Sequence, residues 1–170
     1  MRLLLLCCML TLAACGFRLR GDYQFAFSKI AVEAPAGVPY LLELNRQLAG
    51  IQQLQLSQIG DSHYKEALRL RLLENSSEKK ILALSAGGRV REFQLERRLR
   101  FDLVDAQGRE WIASETIVLT RDFTFNDSQA LAKEGEERML IADMHNDLIN
   151  QLLRRLQSAK GALPPPTKKP

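Results

Sequence analysis

Three cysteines occur in 170 residues, and all stand near the start, at positions 7, 8 and 15. The rest of the chain has no thiol, so disulfides, thiolate metal sites and cysteine nucleophiles are excluded there. Stability must come from an ordinary hydrophobic core, and the chain is long enough to build one as a single domain. Histidine is nearly as scarce, with only His63 and His145. Asp143, His145 and Asp147 are close in sequence, but residues two apart on a helix point away from each other, so they share no site. Both histidines read as surface residues. There is no glycine-rich phosphate loop, because Gly87-Gly88-Arg89 lacks the spacing. No apolar run reaches the roughly 20 residues that a spanning helix needs. Charge is not strongly of one sign: 24 basic and 20 acidic residues leave a formal +4. That surplus is no nucleic-acid footprint, and no nucleic-acid partner is expected. With no nucleophile–base constellation, the chain reads as a non-enzyme, with no catalytic residues, no cofactor and no metal site.

What is present begins at the N-terminus. Arg2 precedes an apolar run, Leu3 to Leu12, followed by small residues. That is the order of a secretory signal. Leu12-Ala13-Ala14-Cys15 resembles the bacterial lipobox, in which the cysteine becomes the first residue of the mature chain. Residues 1–14 are then a cleaved signal peptide. Cys15 becomes an N-palmitoyl, S-diacylglyceryl cysteine. One acyl chain alone gives marginal membrane binding, and such a cysteine carries more than one. Gly16 follows, where an aspartate favours retention in the inner membrane. The lipobox resemblance therefore implies a lipid anchor at the periplasmic face of the outer membrane.

The remainder reads as one domain over residues 15–160, with a Pro- and Lys-rich tail at 161–170 that is expected to be disordered. Residues 16–28 are a short extended leader, and Lys29 to Glu33 is a brief strand. Pro39 suits the first turn of a short helix whose face carries Leu41, Leu44 and Leu48, with Gly50 as its stop. The period then changes to two. Leu68, Leu70 and Leu72 alternate with Arg69 and Arg71. Asn75-Ser76-Ser77 has turn chemistry, Ile81 to Leu84 continues the sheet, and Gly87-Gly88 is a second break. Residues 91–104 are the clearest strand. Phe93, Leu95, Leu99, Phe101 and Leu103 face one way, and Gln94, Glu96, Arg98, Arg100 and Asp102 the other. Arg97 falls on the apolar side and breaks the pattern. Asp105-Ala106-Gln107-Gly108 signals a hairpin, with Trp111 to Phe125 as the return strand.

The last element is long. From about Ser128 to Ala159, Leu140, Met144, Leu148, Leu152 and Leu156 recur every four residues, with Ile141, Ile149 and Leu153 beside them. Asp127 or Ser128 can cap its start, and Gly161 ends it. Glu134, Glu136 and Glu137 read as a solvated first turn or two. The elements predict an α+β two-layer sandwich: a mostly antiparallel four-stranded sheet packed by two helices, one short and N-terminal, one long and C-terminal. The other sheet face carries Arg69, Arg71, Arg98 and Arg100.

Two short motifs carry a family resemblance. Cys15-Gly16-Phe17-Arg18-Leu19-Arg20-Gly21 resembles the CGF/W-H-L-R-G opening of the lipopolysaccharide-assembly lipoproteins, the LptE family. It departs at Arg18, where histidine is usual and not catalytic. Ala130-Leu131-Ala132-Lys133-Glu134, with Glu137 and Met139-Leu140-Ile141 after it, is similar to the ALAK-x-x-E stretch that opens the family's last helix. The resemblance implies a lipoprotein that pairs with the outer-membrane β-barrel LptD as a plug in its lumen. It also implies help in barrel assembly and binding of lipopolysaccharide on its way to the outer leaflet. Lys133 matches the family's lysine implicated in that contact. The second basic position falls in the turn Ser85 to Arg91, where the register leaves Arg89 and Arg91 as two candidates. The alternative is an accessory periplasmic lipoprotein of a lipid-transport ABC system. The Cys15 opening and the Lys133 helix start count against it.

Overall fold

The computed structural model describes residues 23–58 and 60–163. The signal segment 1–14, Cys15, the motif 15–21 and the end of the tail lie outside the described residues. The elements are β1 (Lys29–Glu33), α1 (Leu41–Ala49), β2 (Gln55–Ser57), β3 (Leu68–Leu84), β4 (Val90–Val104), β5 (Glu110–Thr124) and α2 (Ala130–Ser158). Single 3-10 turns at Tyr64–Glu66 and Asp127–Gln129 precede β3 and α2. Among the described residues no helix is long and apolar enough to cross a membrane.

The fold is α+β with two helices, as the periodicities predict, but the sheet has five strands, in the order β2-β1-β3-β4-β5. The expected four-stranded sheet needs correction at its N-terminal edge. β2 is only three residues long, too short to show an alternation. It pairs parallel with β1, and β1 pairs parallel with β3. Parallel neighbours need a crossover, and α1 supplies the one between β1 and β2. The two long ladders, β3–β4 and β4–β5, are antiparallel.

A second correction concerns Asn75-Ser76-Ser77. These residues do not turn. They lie inside β3, opposite Leu99, Arg98 and Arg97 of β4. The partner strand satisfies the backbone groups that a turn would otherwise satisfy internally. Asn75 also accepts a 3.1 Å hydrogen bond from the Tyr40 hydroxyl. A register shift between Leu72 and Glu74 lets the strand continue. The chain reverses at Ser85–Gly88, where Gly88 has φ +74°. The Asp105–Gly108 hairpin forms as predicted, with Asp105 N donating to Arg109 O at 2.9 Å.

Both helices cover one sheet face. Met144, Leu148, Ile149, Leu152, Leu153 and Leu156 of α2 are fully buried. They meet Leu70, Leu72, Leu95, Leu99, Phe101 and Leu103, while α1 contributes Leu44 and Leu48. The first turns of α2 overhang this core, leaving Leu131 and Met139 exposed. The expected cap at Asp127 or Ser128 does not form: the N-cap residue of α2 is Gln129, with no side-chain cap bond, and Asn126 Oδ1, accepting from Ser128 N at 3.1 Å, caps the 3-10 turn before it. α2 stops at Ser158, before Gly161. The chain then passes β5, where Leu163 N donates to Glu110 O at 2.6 Å.

Candidate functional site

The uncovered face of the sheet is built by alternation. Arg69, Arg71, Glu74, Ser76, Glu78 and Lys80 of β3 and Gln94, Glu96, Arg98, Arg100 and Asp102 of β4 share this face, and at two register positions, Arg71–Asp102 and Glu74–Arg100, a cation stands opposite an anion. Arg71 sits opposite Asp102. Its Nε and Nη2 donate to the two carboxylate oxygens at 2.7 and 2.6 Å. Asp102 is only 3% exposed, so the fork is this buried carboxylate's compensation. The same bond holds the Arg71 pKa above its ordinary value. Arg100 lies 3.4 Å from Glu74, and Arg98 2.8 Å from Glu96. Glu96 also takes Lys80 at 3.1 Å, and Lys80 reaches Glu78 at 3.0 Å. Hydrogen bonds from Arg98 and then Lys80 hold the Glu96 carboxyl below its usual range. Arg69 Nη2 donates to Asp105 O at 3.1 Å. Arg71, Arg98 and Arg100 of the arginine row seen in the sequence are therefore paired with acids, whereas Arg69 meets only a neutral carbonyl and its buried Nε has no partner.

On the helix side, Lys79 reaches Glu137 at 2.6 Å and stands 4.2 Å above the Phe93 ring. Arg121 pairs with Asp147 at 2.5 Å. Glu136 and Glu137 are thus ion-paired rather than simply solvated.

The three basic candidates gather at one end of the sheet, around the β3–β4 turn. Ser85 N donates to Arg89 O at 2.8 Å, and Arg89 N donates to Ser85 Oγ at 3.1 Å. Phe125 N donates to Arg91 O at 2.8 Å, which ties Arg91 to the end of β5. Thr124, opposite Glu92, accepts from Lys133 Nζ at 3.1 Å. Arg89 and Arg91 are exposed, and neither side chain has an acid partner among the described residues. Lys133 differs. It is held by Glu136 at 2.7 Å, and its side chain is 16% exposed.

A separate polar cluster lies between sheet and helix, and sequence reasoning missed it. Arg97 is 5% exposed and faces α2 without a carboxylate. Its Nη2 contacts His145 Nε2, and its Nε has no partner. The His145 ring packs on Tyr40, with centroids 5.3 Å apart. His145 is half-buried, which corrects its reading as a surface residue. Burial, then the Arg97 charge, holds its pKa at about 4. Burial pushes Tyr40 up to about 12, opposed by Arg97. The signal was available: Arg97 breaks the alternation of β4, and His145 follows Met144 of the apolar stripe. Among the described residues no group of His, Asp or Glu is placed to hold a metal ion.

The sequence matches the LptE family, described as lipopolysaccharide-assembly, over residues 27–156. The chain belongs to the LptE family. That span runs from β1 almost to the end of α2 and includes both long ladders and Lys133. The LPS-assembly lipoprotein LptE of Pectobacterium atrosepticum is 27% identical over 153 residues, covering 88% of this chain and 80% of the relative. That of Yersinia enterocolitica is 30% identical over 159 residues, covering 91% and 73%. Among solved structures, an uncharacterized lipoprotein B from Nitrosomonas europaea superposes with a TM-score of 0.69 at 35% identity, covering 84% of this chain and 91% of that one. The LptE family consists of assembly lipoproteins, not enzymes.

Proposed function

We propose that this protein is a lipoprotein anchored through Cys15 at the periplasmic face of the outer membrane. There it pairs with the LptD β-barrel as a plug in its lumen, assists barrel assembly and binds lipopolysaccharide during delivery to the outer leaflet. Family membership favours this over an accessory lipoprotein of an ABC system. The observation that carries the plug reading is the self-paired open sheet face. A large barrel has a polar interior. A polar face whose charges, Arg69 apart, already neutralise one another can lie in it with little stranded charge.

Lipopolysaccharide contact falls to Arg89, Arg91 and Lys133. Its phosphates and carboxylates suit guanidinium forks. Exposure and the lack of an acid partner favour Arg89 and Arg91 most. Lys133 joins by exchanging Glu136 for phosphate, close to a helix start that favours anions. Two measurements test the reading. Purification from outer membranes should bring a β-barrel in stable complex, and its absence refutes the plug. Arg89→Glu, Arg91→Glu and Lys133→Glu together should weaken lipopolysaccharide binding and its salt sensitivity. Equal affinity in a folded variant removes these residues from the contact.

A further inference from the structure

The β3–β4 hairpin ends in apolar surface that the fold leaves uncovered. Leu68, Leu70 and Leu72 of β3 are buried, yet Ile81, Leu82 and Leu84 are 58%, 49% and 58% exposed. The register shifts twice here, between Ile81 and Ala83 and between Ala83 and Leu84. The ladder is therefore irregular where these side chains emerge. A single exposed leucine is ordinary, but aliphatics grouped at a tip mark a contact surface. Half-buried Phe93 and Phe125 extend it, with ring centroids 5.2 Å apart. Beside it stand the two arginines without acid partners. Lower on the same hairpin, Arg71, Lys79, Lys80, Arg98 and Arg100 each have one. Aliphatic surface and uncompensated positive charge thus coincide at the tip. A soluble anion would use only the charge, and an uncharged apolar partner only the aliphatics. A molecule that joins phosphate to acyl chains uses both.

We propose that Ile81, Leu82 and Leu84 contact the acyl chains of lipopolysaccharide while Arg89 and Arg91 hold its phosphates. The hairpin tip then reads the lipid end of the molecule rather than its outer sugars. This rests on the reading of Arg89 and Arg91 given above. Arginine supplies a planar fork for phosphate, and the aliphatics remove acyl methylenes from water.

The test uses the full lipidated protein in lipid nanodiscs and two probes: intact lipopolysaccharide, and fully deacylated lipopolysaccharide that keeps its sugar phosphates. The wild type should bind the intact form roughly tenfold or more tighter, because only that form offers apolar surface to bury. Ile81→Asn, Leu82→Asn and Leu84→Asn together should abolish the difference, with circular dichroism unchanged. Equal wild-type affinity for the two probes overturns the proposal, as does a folded triple variant that keeps the preference. If the triple variant does not fold, the two probes on wild type decide alone. Arg89→Glu with Arg91→Glu separates the two readings. If it loses both probes while the aliphatic variant binds as wild type, only the acyl contact falls. If it binds both as wild type, the phosphate contact falls too.

Discussion

Arg97 is a buried cation with a neutral partner, and that makes an unusual substitution worth testing. In Arg97→Met the charge leaves a site that is 5% exposed and holds no carboxylate. Methionine fills a similar length with an adaptable apolar chain. Replacing buried ionic groups by apolar ones of similar volume is often neutral or stabilising by about 1–4 kcal/mol. Against this stands His145 Nε2, which accepts from Arg97 and loses its donor. An unsatisfied buried acceptor costs about 1–3 kcal/mol, and the lower figure applies to a half-buried ring. The expected net is about 1 kcal/mol of stabilisation, or about 2–4 °C in Tm for a domain of this size. Thermal unfolding at pH 7.5 checks it. A loss exceeding about 2 kcal/mol would refute the reasoning, because Arg97 would then make a contact worth more than its desolvation.

The same pair gives stability a pH dependence. His145 is held at about 4 in the fold, against 6.5 ordinarily. Between those values the unfolded chain binds a proton that the folded chain refuses. Stability therefore falls as pH drops from about 6.5 to about 4, and this contribution is flat outside the window. The full interval corresponds to about 3 kcal/mol, discounted to about 1–2 kcal/mol because the ring is partly solvated. Arg97→Met should raise the His145 pKa only part of the way, since burial is the larger cause and remains. An NMR titration of the imidazole reads this directly. A wild-type midpoint near 6.5 would show that the ring is not desolvated as described.

Leu148→Asp puts a carboxylate at a fully buried position in the middle of α2. The cost should be several kcal/mol, comparable to the domain's whole stability, so a Tm close to wild type would place the core elsewhere. Cys15→Ala should abolish acylation, leaving a precursor that keeps its signal or is cut aberrantly. Mass spectrometry finding an unmodified Cys15 in wild type would contradict the anchor.

The parts of the fold legible in the sequence are those where one face decides. The repeat from Leu140 to Leu156 sets the buried side of α2, and the alternation from Phe93 to Leu103 sets the core side of β4. Elsewhere tertiary pairing overrules local preference. Asn75-Ser76-Ser77 has turn chemistry but faces fifteen residues of ready partner strand in β4. Once the ladder runs past it, turning would leave backbone groups unpaired. β2 cannot be read locally because it exists only through its pairing with β1, and three residues carry no period.

The site was half legible for a related reason. Sequence gives the number of arginines and the face they occupy, but whether a charge is neutralised depends on register, and one bulge changes it. Arg71 meets Asp102 on one side of the irregularity between Leu72 and Glu74; Arg100 meets Glu74 on the other. Without that shift the strand beyond would present its opposite face, and Glu74 and Glu78 would turn toward α2. The bulge therefore keeps the ladder self-paired along most of the hairpin. Arg89 and Arg91 escape it because they lie in and just past the turn, beyond the last acids that β3 offers across the ladder. Their availability for an anionic ligand follows from where the pairing ends, not from the charge count.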